Sequence, residues 1–217
     1  MENEKLNLLY IWDGYCGWCY GFSKELTKFH NNHPELPITV LPGGLFTGDK
    51  SLPISNYPHI PEANQRINQL TGAVFGDSYN NLLKKGNFLL NSEDAGKGFV
   101  ALKHFAPSKQ YEIANAMMKL FYLEGKSLSD PETYGEIAQN LEIDPEKVMT
   151  CFHTENALIE TQQLFMKVKE TGVNSYPTLL LQKGEEMIKI GGGVANVEKL
   201  EENLKNAVEL FSTKRSK

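Results

Sequence analysis

The chain has 217 residues, 41% of them hydrophobic, with 22 Lys+Arg against 27 Asp+Glu for a net charge of -5. That length fits one domain, or one domain carrying a large insertion, and can bury a sizeable core without covalent staples. Three cysteines, Cys16, Cys19 and Cys151, are too few and too odd in number for the disulfide framework of a small secreted protein.

The acidic balance argues against binding to nucleic-acid phosphates, because the basic residues are scattered and the one cluster, Lys214, Arg215 and Lys217, reads as a frayed tail. The N-terminus lacks the basic start, long apolar middle and small-residue cleavage site of a signal peptide. No apolar run approaches the roughly 18 residues of a membrane span. The expected setting is therefore the cytosol, away from membranes, where a C-x-x-C means redox catalysis or metal more often than a structural disulfide.

Leu6 to Trp12 (LNLLYIW) is a nearly continuous apolar run, the pattern of a strand buried on both faces, and it ends at Asp13-Gly14. From Cys16 to about His30, the positions Cys19, Phe22, Leu26 and Phe29 recur at spacings of three and four, predicting a helix whose first turn holds both cysteines. Ile38 to Leu41 makes a second short strand. From about Asn56 to Gly172 helix starts follow one another: Ser92 before Glu93 and Asp94, Pro107 as a first helical residue, then Asp130-Pro131 and Asp144-Pro145. The last of these helices runs from Thr154 to Thr171, with Ala157, Leu158, Leu164, Phe165 and Val168 apolar, and stops at Gly172.

Thr178 to Gln182 and Met187 to Ile190 then read as an antiparallel hairpin around Lys183-Gly184. Gly191-Gly192-Gly193 lacks the lysine and spacing of a phosphate loop and predicts a backbone bend. Asn196 should cap a final helix to about Phe211, with Val197, Leu200, Leu204, Val208 and Leu210 facing inward. The fold class is α/β, a βαβ unit and a ββα unit separated by helices. The expected division is a discontinuous domain of residues 1–55 and 172–217, with a helical insertion at 56–171.

Cys16-Gly17-Trp18-Cys19 follows a buried strand and opens a helix. The thiolate is the reactive form of cysteine, and a helix N-terminus favours it through unpaired N–H groups and the positive end of the dipole. Cys16 is placed to feel this most. Cys19 lies about one turn on, on the same face and more buried, so Cys16 should exchange with a substrate sulfur and Cys19 should resolve the mixed disulfide. Trp18 offers an apolar face beside the exposed sulfur. At the far end of the chain, Tyr176-Pro177 immediately precedes a strand. It reads either as a strand-entry proline marking an edge or special turn, or as a cis proline whose preceding residue offers backbone groups to a substrate.

Three stretches resemble the DsbA-like branch of the thioredoxin superfamily, and within it the cytosolic group often called FrnE-like: Asp13-Gly14-Tyr15-Cys16-Gly17-Trp18-Cys19-Tyr20-Gly21, Phe121-Tyr122-Leu123-Glu124-Gly125-Lys126, and Gly172-Val173-Asn174-Ser175-Tyr176-Pro177-Thr178. The resemblance spans nearly the whole chain and implies a thioredoxin-like fold with a large all-helical insertion that covers the active-site face and shapes a substrate groove. By it, Cys16 is the nucleophile, Cys19 the resolving cysteine and Pro177 the cis proline. The chain departs from the family's pattern at Gly14, where proline is common, and at Tyr176, where Val or Thr is common.

The implied activity is a thiol-disulfide oxidoreductase, of the protein disulfide isomerase type, with no metal or organic cofactor. Its substrates would be protein or small-molecule disulfides and thiols, with glutathione or a thioredoxin system as electron partner. A glutathione-dependent isomerase or transferase on the same fold is the alternative, although such enzymes use a lone Ser or Cys at the helix start. A non-catalytic zinc module built from Cys16, Cys19, Cys151 and His153 is a further one, disfavoured because Cys-x-His has a single intervening residue. Asp13 is either a buried acid assisting proton transfer or, by slight preference, a turn former. Cys151 reads as a small buried hydrophobe, and Met117, Leu120, Phe121 and Leu123 as core. His30, His33, His59 and His104 form no catalytic or metal motif and read as surface or helix-end residues.

Overall fold

The structure, a computed structural model, describes residues 5–213; the basic cluster at Lys214, Arg215 and Lys217 lies outside them. β1 (Leu6–Trp12) is a central strand, which is why its sequence is apolar throughout. Leu8, Tyr10 and Trp12 join the larger core on one face, while Leu9 and Ile11 face the other with Leu41, Val168 and Leu180. α1 (Gly17–Asn32) crosses over to β2 (Ile38–Pro42), which pairs parallel with β1, Leu8 opposite Ile38 and Trp12 opposite Pro42. β3 (Thr178–Lys183) lies antiparallel on the other side of β1, and β4 (Glu186–Gly191) antiparallel on β3, giving the order β2-β1-β3-β4.

Between β2 and β3 come α2 (Ile60–Thr71), α3 (Asp77–Lys85), α4 (Ser92–Phe105), α5 (Gln110–Glu124), α6 (Pro131–Asn140), α7 (Pro145–Phe152) and α8 (Glu155–Glu170), and α9 (Val197–Thr213) closes the described chain. Asp130 and Asp144 cap α6 and α7 as the sequence predicts, and Thr154 caps α8, each accepting from a first-turn N–H. No helix among the described residues is long and apolar enough to cross a membrane.

Several expectations change. Asn91, not Ser92, caps α4, accepting from the N–H groups of Glu93 and Asp94; Ser92 is buried and turned to another task, described below. Pro107 opens a short 3-10 turn and α5 starts at Gln110. In α9 the inward stripe is Leu200, Leu204, Ala207 and Phe211, at the period of the helix; Val208 and Leu210 fall off it and are exposed, and Val197 is only partly buried. Leu123 at the end of α5 is exposed, unlike Met117, Leu120 and Phe121, and in α8 Thr161 takes a buried position while Leu158 and Leu164 are only partly covered. Pro177 enters β3, an interior strand, so it marks a special turn and not an edge.

Phe22 anchors α1 on the sheet, 1% exposed beside the ring of Tyr10. Phe22→Ala is expected to lower unfolding free energy by about 3–5 kcal/mol in urea titrations, because the emptied volume cannot fully collapse.

Candidate active site

The turn between β1 and α1 is built around Asp13. Its carboxylate is 2% exposed and accepts from the Tyr15 N–H (3.0 Å), the Leu45 N–H (2.8 Å) and the Ser92 hydroxyl (3.0 Å). Ser92 also accepts from the Phe46 N–H at 3.0 Å. One acid thereby joins the strand end, the loop after β2 and the start of α4. These bonds are those of a turn former, extended by partners distant in sequence. Desolvation is the largest influence on Asp13 and raises its pKa in spite of these bonds.

Cys16 is the N-cap of α1, with extended backbone angles. Its Sγ accepts from the Cys19 N–H at 3.3 Å, and its carbonyl accepts from the N–H groups of Cys19 and Tyr20. The sulfur thus occupies the place a serine or aspartate oxygen takes in an ordinary cap. Its own S–H donates to the Tyr176 carbonyl at 3.6 Å. Contrary to an exposed sulfur, Cys16 is only 6% exposed. Cys19 is fully buried, and burial, reinforced by its contact with Cys16, pushes its thiol well above the ordinary value. Both cysteines are free thiols.

Tyr176 and Pro177 are joined by a cis peptide bond, and Pro177 is buried. The Tyr176 side chain donates from its hydroxyl to the Gly43 carbonyl at 2.8 Å. Gly43 is required there, since a Cβ would lie 2.2 Å from the tyrosine ring. Gly192, at φ 139°, likewise leaves room for the Pro177 carbonyl, which a Cβ would meet at 2.3 Å. The glycine run is therefore a bend that lets the chain pass the proline.

Beside Cys16 lies a cavity of about 130 Å³. Trp18, partly exposed, forms part of its rim, and Phe46, Ile60, Ile67, Phe121 and Tyr122 line it, with the His59 ring and the Asn64 amide as polar members. Asn64 is buried and donates to the Tyr79 hydroxyl at 3.0 Å. α2 roofs the site closely: a Cβ on Gly17 would meet Ile67 at 3.0 Å and Asn64 at 3.3 Å. Leu45, Gly43 and Asn64, and the bond of Ser92 to Asp13, escaped the sequence reading because each joins the site through tertiary contact.

The structure does not bring Cys151 and His153 to Cys16 and Cys19. Among the described residues no three His, Cys, Asp or Glu side chains are grouped to hold a metal ion. Cys151 is half-buried on α7 and lines a separate surface cavity with His104 and Glu160.

A family model described as a DSBA-like thioredoxin domain matches residues 10–205. The chain belongs to this DSBA-like thioredoxin family. No curated protein sequence is similar enough to the chain to count as a match. Among solved structures, a candidate protein disulfide isomerase from Nitrosomonas europaea superimposes with a TM-score of 0.82 at 23% identity, over 95% of this chain and 99% of that one. The cytosolic disulfide reductase DsbM from Pseudomonas aeruginosa gives 0.78 at 20% identity, over 94% and 99%. Its structure with GSH gives 0.74 at 21% identity, again over 94% and 99%. The DsbA-like thioredoxin fold is thus that of this chain.

Asp13→Asn tests the turn. Asn keeps an acceptor for Tyr15 and Ser92 but presents an amide to the Leu45 N–H, and about 1–3 kcal/mol of stability should be lost. Because the folded state raises the Asp13 pKa above its unfolded value, Asp13 contributes most below that unfolded value, near 3.8. Its contribution then declines as pH rises through the folded value. Thermal melts across pH should show this decline in the parent protein and its absence in Asp13→Asn.

Proposed function

We propose that the chain is a cytosolic thiol-disulfide oxidoreductase in which Cys16 is the nucleophile and Cys19 the resolving thiol. The observation that carries this reading is the sulfur of Cys16 standing as the cap of α1, with the Tyr176 carbonyl on its open side and a second thiol one turn away. Backbone N–H groups at the cap favour negative charge on sulfur, and a thiolate is what disulfide exchange requires. Cys16 attacks a substrate disulfide and releases one thiol; Cys19 then attacks Cys16, releases the second thiol and leaves a Cys16–Cys19 disulfide.

Family membership supports this class of chemistry, and the fold shared with the reductase DsbM supports the reductive, cytosolic direction. The DsbM structure with GSH favours glutathione as the thiol that restores the dithiol, closing a cycle that could also rearrange disulfides. A glutathione-dependent isomerase or transferase would have no use for Cys19. Substrates are protein or small-molecule disulfides that reach Cys16 past Trp18 and α2, with residues 56–171 acting as the insertion that selects them.

Insulin-disulfide reduction tests the roles. Cys16→Ser is expected to abolish it, and Cys19→Ser to accumulate a mixed disulfide seen by mass as one added substrate thiol; full activity of Cys16→Ser would contradict the reading.

A further inference from the structure

Tyr10 stands on the face of β1 that α1 covers, with its ring edge-on to Tyr111 at a centroid separation of 5.8 Å and Phe22 at 6.3 Å. It is 0% exposed, yet its hydroxyl has no aligned hydrogen bond to any protein atom. The ionisable groups that it feels most are Cys19, then Tyr111, then Cys16, and the Cys19 thiol is the side chain within its reach. Burying an unpaired hydroxyl is unfavourable, and phenylalanine would fill the same space without that cost.

The chemistry proposed above creates a partner for it. Cys19 has to attack as a thiolate, and burial disfavours that charge. Burial also holds the proton on the Tyr10 phenol, so this hydroxyl can donate a hydrogen bond but cannot take up the Cys19 proton as a base. We propose that Tyr10, from the strand beneath the helix, donates a hydrogen bond to Cys19 Sγ as that sulfur gains negative charge in the resolving step. The inference rests on the dithiol reading of Cys16 and Cys19.

In that step a lone pair of Cys19 Sγ forms the bond to Cys16 Sγ. The bond from Cys16 Sγ to the substrate sulfur breaks with its electron pair on the substrate, and the proton released from Cys19 ends on that leaving sulfur. Two protein thiols are oxidised to one disulfide while the substrate disulfide is reduced to two thiols. Tyr10 keeps its own proton throughout. In reverse, the same hydroxyl stabilises Cys19 as the leaving thiolate when an incoming thiol opens the Cys16–Cys19 disulfide. The other titratable groups around the pair are Cys16 on α1, Tyr111 and Tyr122 on α5, Asp13 after β1, and Tyr176 before β3.

The test separates the two sulfurs. Reduced protein carrying Cys151→Ala is mixed with equimolar dipyridyl disulfide, and release of pyridinethione is followed by absorbance. Attack by Cys16 gives a first phase and resolution by Cys19 a second. Tyr10→Phe is expected to leave the first phase unchanged, slow the second about tenfold or more, and move its pH midpoint upward, as loss of a hydrogen bond to a charged group requires. An unchanged second phase and midpoint in Tyr10→Phe, with both phases present in the parent, would overturn the role of Tyr10. No second phase in the parent would instead overturn the dithiol reading beneath it. A fluorinated tyrosine at position 10 alters hydroxyl acidity at nearly constant shape, and should change the second phase alone; identical kinetics would again overturn the proposal.

Discussion

One sulfur performs two tasks, and the site is arranged around that economy. Cys16 terminates the unpaired N–H groups of α1 through the Cys19 amide, a structural role that oxygen side chains normally fill, while its thiol faces the Tyr176 carbonyl. A cap has to sit in extended backbone where a strand has just ended, so the position of the sulfur is dictated by where β1 stops. Everything that fixes that stopping point therefore aims the sulfur.

Asp13 is the chief of these fixtures, and it works because its partners come from far along the chain. Bonds to Leu45 and Ser92 tie the turn to the loop after β2 and to the first residue of α4, so the helices between β2 and β3 are held to the site and do not hang from it. Cys19 is completely buried, and the same helices leave Cys16 a narrow opening lined by apolar and aromatic side chains. Among the described residues lining that opening, His59 is the sole basic side chain. The Cys16 sulfur there meets the backbone N–H of Cys19 and the Tyr176 carbonyl.

The elements that read correctly are those that local rules decide. A strand buried on both faces, a helix with apolar positions every three or four residues, and aspartate-proline starts at Asp130 and Asp144 leave little for tertiary structure to overrule. Where the reading failed, longer-range contacts had won. Ser92 resembles a helix cap, but Asn91 does that work one residue earlier and frees Ser92 to reach Asp13. Val208 and Leu210 are apolar, but the stripe that meets the sheet passes through Ala207 and Phe211. Trp18 and the two cysteines could be read from the motif, whereas α2, which roofs them, carries only Asn64 and Ile67 as buried residues and gave no periodic sign of its place.

The proposed function requires Cys16 and Cys19 to form a reversible redox couple from which Cys151 is excluded. Equilibration in glutathione buffers of graded poise, followed by acid quenching, alkylation and mass mapping, measures it directly. The account predicts a single Cys16–Cys19 disulfide with Cys151 always alkylated, and a potential nearer thioredoxin at about −270 mV than DsbA at about −120 mV. A disulfide involving Cys151, or no reversible Cys16–Cys19 bond at any poise, would contradict it.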